Sequence, residues 1–89
     1  RDRPVRFRGR IVAMESQLGT TYLQLILDQG CAQEGRCAVY VTYPGALEAS
    51  LYATVTVYGH VSGLWQGQTQ GGTRLSMPRV RAQFVVADR

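Results

Sequence analysis

Between Leu51 and Val86 the chain writes two alternating strands around a loop rich in glycine and glutamine, and no other stretch constrains the fold as much. In the first strand, Val55, Val57 and Val61 alternate with Thr54, Thr56, Tyr58, His60 and Ser62. Successive strand side chains point to opposite faces, so the valines face a core and the polar set faces out. The second strand, Arg74 to Val86, places Val80, Ala82, Phe84 and Val86 inward, with Arg79, Arg81 and Gln83 outward. The connection, Gln66 to Gly72, is a flexible hairpin loop. Before this hairpin, Pro44 to Tyr52 reads as a helix of one to two turns. Leu47, Leu51 and Tyr52 lie on one side of it, where they would plug the end of a barrel.

Three strands precede that segment. Val5, Phe7, Gly9 and Ile11 share one face of the first, and Arg6, Arg8 and Arg10 share the other. The alternation is lost at Ile11-Val12-Ala13, which predicts a bend or bulge near Gly9. The turn Glu15 to Gly19 leads to a second strand, Thr20 to Asp28, with Leu23, Leu25 and Leu27 toward the core. A loop with two glycines and both cysteines follows, then a third strand from Cys37 to Tyr43, which Pro44 stops. Five strands with one short helix between the third and fourth predict an all-β, OB-fold-like barrel. The expected domain runs over 5–87, after a flexible lead-in over 1–4.

A chain of 89 residues is one small domain. It buries only about 60–65% of the surface its unfolded form exposes, so a crosslink would help it. No apolar run approaches the roughly 20 residues of a bilayer-spanning helix. The sequence reads as a mature segment or as a domain of a longer protein, so a missing leader carries no weight on export. The net charge is +4, and every cation is arginine. The absence of lysine and asparagine matches a GC-rich coding bias, while the arginine fork also suits phosphate or carboxylate recognition.

Pro44-Gly45, Leu47-Glu48 and Tyr52, then Val55-Thr56-Val57, Gly59, Val61 and Gly63, then Pro78 and Val80 resemble the second half of Slp-type outer-membrane lipoproteins. Gly9-Arg10-Ile11-Val12 and Tyr22-Leu23-Gln24-Leu25 are similar to that family's first two strands. The resemblance implies a bacterial envelope location, in the periplasm or at the outer membrane, and a non-enzymatic role. It implies no catalytic residues, and membrane attachment only through a lipid anchor that this chain does not contain. Its compact loop with two cysteines differs from the longer connection of that family.

Cys31 and Cys37 stand with five residues between them, flanking a tight turn. A disulfide there would add roughly 2 kcal/mol and would place the domain outside the reducing cytosol. Zinc needs four ligands, and His60 is the only other strong ligand type. Metal is therefore not expected, and two reduced, buried thiols are the remaining alternative.

Two surfaces are candidates for binding. Tyr22, Gln24, Ile26, Tyr40 and Thr42 fall on the outer face of the second and third strands, and Trp65 in the loop after the fourth strand could join them. OB barrels bind ligands on that side. Exposed aromatics there favour a protein partner; stacking on single-stranded nucleic acid is the alternative, weakened because Arg36 and Arg74 are the only arginines close in sequence. The second surface is basic: Arg6, Arg8 and Arg10, with Tyr58 and His60 between them and Arg79 and Arg81. It could meet an anionic partner or be a solvated face. His60 has Ser62 two residues on but no acidic neighbour to orient it. No paired carboxylates, phosphate loop or zinc signature is present, so the chain reads as a non-enzyme without a cofactor.

Overall fold

The computed structural model describes residues 3–27, 38–68, 71–72 and 74–87. Five strands form: β1 (Arg3–Gln17), β2 (Thr20–Leu27), β3 (Ala38–Tyr43), β4 (Thr54–Gln68) and β5 (Arg74–Ala87). They close a barrel in the order β1-β2-β3-β5-β4. All neighbours are antiparallel except β3 and β5, which close the barrel in parallel over three residue pairs, Tyr40 to Thr42 against Arg79 to Arg81.

β1 serves both halves of the barrel. Its first part, Arg3 to Arg10, pairs with β4, and its second part, Gly9 to Gln17, pairs with β2. The strand changes partner at Gly9, where an added Cβ would sit 2.8 Å from the Ile26 carbonyl oxygen. The register slips between Ile11 and Ala13, two residues beyond the expected bend near Gly9. The strand begins at Arg3 and runs on to Gln17, leaving Leu18-Gly19 as a two-residue hairpin turn. Both turn residues have positive φ, 52° and 81°. That is the pattern of the type I′ turn that matches strand twist.

Except at the end of β5, the core is the set of alternating positions read from the sequence. Ile11, Leu23, Leu25, Val39, Val41, Val55, Val57, Val80 and Ala82 form one buried cluster, with Val5, Phe7, Leu27 and Val61 packed against it. Burying such aliphatic side chains contributes about 1.5–3 kcal/mol each.

Two expectations fail here. The helix between the third and fourth strands is absent: 44–53 is irregular, ending in a turn at 51–52. From Pro44 to Ser50 exposure alternates residue by residue, the signature of extended chain. Leu47 and Ala49 therefore pack on the core, while Leu51 is 45% exposed. Gly45 has a φ of 147° and Tyr52 a φ of 71°, both outside helical backbone. The segment is held instead by a strand-like bridge in which Tyr52 N–H donates to Ile11 C=O (2.7 Å) and Ile11 N–H donates to Ala53 C=O (2.9 Å). Buried Thr21 adds its hydroxyl, which donates to Gly45 C=O at 2.7 Å.

The second failure lies in β5. Phe84 and Val86, expected inward, are 64% and 51% exposed, and Val85 packs on the core in their place. Tyr58 pairs with Phe84 and Gly59 with Ala82, so Gln83 is an extra residue. A one-residue bulge exchanges the two faces of everything beyond it. A second slip leaves Ser62 extra on β4, and its hydroxyl donates to Arg79 C=O at 3.2 Å.

Candidate functional site

Trp65 belongs to β4 and not to a loop, because the β4–β5 hairpin stays paired as far as Gln68 and Arg74. It reaches the outer surface of β3. Its indole stacks on the Tyr40 ring, with centroids 5.4 Å apart and planes at 21°. Tyr40 in turn meets Tyr22 at 6.3 Å with a 32° tilt. Three aromatic rings thus form a continuous ladder over β2, β3 and the end of β4. Such pairs are worth about 0.5–1.5 kcal/mol beyond their area.

Local sequence builds this ladder. Leu23, Leu25, Val39 and Val41 point into the core, which sends Tyr22, Gln24, Ile26, Tyr40 and Thr42 outward. Gln24 pairs directly with Tyr40, and Tyr22 with Thr42. Gly67 makes room for the indole: a Cβ there would lie 2.9 Å from Cζ2 and 3.0 Å from Cζ3 of Trp65. Met77 pairs with Trp65 across the hairpin and is buried, although it stands outside the barrel's core cluster.

Charges of both signs border the ladder, and neither was legible as part of it. Glu15 is in register with Tyr22. Arg79 is in register with Tyr40 and Arg81 with Thr42, through the parallel β3–β5 ladder. The Tyr40 phenol is held above its ordinary value of 10.0, first by burial and then by the nearby Tyr22 and Glu15, while Arg79 pulls it down. A search for arginine close in sequence misses Arg79, since 39 positions separate it from Tyr40 (79 − 40). Only the strand order brings them together. Leu18, 99% exposed at the tip of the β1–β2 hairpin, was also passed over. Its signal is a leucine beside glycine at a turn where asparagine or aspartate is usual.

The basic set divides. Arg6, Arg8 and Arg10 are exposed along β1, opposite Tyr58, Thr56 and Thr54 of β4. His60 lies between Pro4 and Arg81. Its Nδ1 is buried and has no hydrogen-bond partner among the described residues. The Ser62 hydroxyl bonds the Arg79 carbonyl instead of His60. Arg79 belongs with the aromatic ladder, and Arg81 stands between the two surfaces. Among the described residues, no group of three or more His, Cys, Asp or Glu side chains could hold a metal ion. Cys31 and Cys37, with the disulfide expected between them, lie outside the described residues.

No protein-family model matches this chain, and no curated protein matches it.

Proposed function

We propose that this protein is a non-enzymatic OB-like module that binds a protein partner through the outer face of β2 and β3 and the Trp65 ledge. The strand order and the parallel closure of β3 on β5 support the OB-like reading, with an extended segment in place of the short helix. The observation that carries the reading is the packing of the three rings on one another. Tyr40 stacks on Trp65 and meets Tyr22 at a tilt, and Trp65 also lies against Gly67. Base stacking needs open ring faces. Rings that stack on each other present edges and hydroxyls, the amphipathic surface typical of protein contacts. Glu15 beside Tyr22 also disfavours a phosphate chain there. The Slp-like residues support an extracytoplasmic setting in a bacterial envelope assembly, and a Cys31–Cys37 disulfide would add to that support.

Single-stranded nucleic acid is the second reading. Arg79 and Arg81 favour it, since they supply cations beside Tyr40 and Thr42. Trp65 is the only tryptophan and reports on the site directly. Its emission should not change when single-stranded DNA is added at low salt. A photo-crosslinker at Gln24 should give a protein adduct in an envelope fraction, and Tyr40→Ala should remove that adduct. Micromolar DNA binding that weakens steeply with salt, or no adduct at all, would overturn the protein-partner reading.

A further inference from the structure

A second face of the barrel lies over β1, β4 and β5. The Gln83 bulge turns Phe84 and Val86 outward, and the register sets them in rows. Arg6, Tyr58 and Phe84 form one row across the three strands; Arg8, Thr56 and Val86 form the next. Arg10 and Thr54 extend the surface at one end, and Pro4, His60 and Arg81 at the other. Strands lie about 4.8 Å apart and alternate residues about 6.8 Å apart, so each row spans about 10 Å. Phe84 and Val86 are more than half exposed, and Tyr58 is 38% exposed.

The charge on these strands is of one sign. The rows hold Arg6, Arg8, Arg10 and Arg81, and Arg3 to Arg10 of β1, all of β4 and all of β5 contain no Asp or Glu. The described carboxylates, Glu15 and Glu48, lie on the other half of β1 and in the segment after β3. Exposed apolar side chains set among arginines mark an interaction surface.

We propose that this face docks on an anionic lipid bilayer. The arginines would meet headgroup phosphates, while Phe84, Val86 and the Tyr58 ring enter the boundary between headgroups and acyl chains. Binding at such a boundary adds buried apolar area to attraction for anionic lipid. A nucleic-acid strand would use the arginines and the two rings but gain nothing from Val86; a bilayer uses the whole surface. The contact is independent of the aromatic ladder.

The test is flotation of the protein with neutral phosphatidylcholine vesicles and with vesicles partly replaced by phosphatidylglycerol. The protein should float with the anionic vesicles at low salt and be released at high salt. Arg6→Ser or Arg10→Ser should each lower the partition coefficient about fivefold. Phe84→Thr with Val86→Thr should weaken it further, with the melting temperature unchanged. Tyr40→Ala should leave it unaltered, separating this surface from the ladder. Three outcomes would overturn the proposal. One is failure to float with anionic vesicles at low salt. Another is flotation unaffected by the Phe84→Thr and Val86→Thr pair. The last is an oligonucleotide that binds more tightly than vesicles and responds to the same variants.

Discussion

Gly59 shows how far one residue can decide a barrel. Its Cα faces β5 so closely that a Cβ would overlap the Arg81 carbonyl and lie 2.8 Å from the Ala82 Cα. Both obstacles are backbone, so they cannot rotate away. Gly59→Ala should therefore cost about 2–3 kcal/mol, read as a lower urea midpoint with an unchanged slope. Tyr40 makes a different kind of prediction. Burial, Tyr22 and Glu15 raise its phenol, so the folded state holds that proton more tightly than the unfolded chain does. The resulting stabilisation is complete below the ordinary phenol value of 10.0 and is lost as pH rises through the higher folded value. Stability should fall above about pH 10, and Tyr40→Phe should flatten that decline. The difference in absorbance at the phenolate band between wild type and Tyr40→Phe should likewise titrate above pH 10.

At the level of elements, periodicity carried most of the information. Alternation in Thr21-Leu23-Leu25-Leu27, Val39-Val41 and Val55-Val57 reports burial directly, because a strand with one buried face must repeat every two residues. Tyr22 and Tyr40 were legible for the same reason, as the outward counterpart of those core positions, whereas Trp65 was expected in a loop and lies in β4. What alternation does not record is a single inserted residue. Gln83 looks like one more outward position, yet it reverses Phe84 to Val86. The segment Pro44 to Tyr52 misleads in another way, since Leu47 and Leu51 at a four-residue spacing satisfy a helix as well as Leu47 and Ala49 satisfy a strand. The extended arrangement makes a clear forecast. Leu47→Ala should cost about 2 kcal/mol, whereas Leu51→Ala should stay within about 0.5 kcal/mol, both by denaturant unfolding. A helix would cost both. The β1–β2 turn offers the opposite sign. Leu18 holds a left-handed φ of 52° with no burial to offset it. Leu18→Asn should raise stability by about 0.5–1 kcal/mol in the same assay.

On the scale of the whole molecule, two surfaces of different character share one small barrel. The aromatic ladder is bordered by Glu15 and Arg79, while the face over β1, β4 and β5 carries arginine with exposed Phe84 and Val86. Arg81 stands in register with both Thr42 and His60, so it joins the two across β5. The parallel contact of β3 with β5 is the shortest ladder in the barrel, only three residue pairs against eight between β1 and β4. Parallel pairing is also slightly weaker per residue than antiparallel. The barrel consequently has a seam, and local opening begins where the fewest bonds must break together. In native-state amide exchange, protons directed across Tyr40–Thr42 and Arg79–Arg81 should be lost well before those in the middle of the β1–β4 ladder. Tyr40 sits on that seam, so a partner that clamps Tyr40 and Arg79 together would slow its breathing and tighten the whole ring of strands.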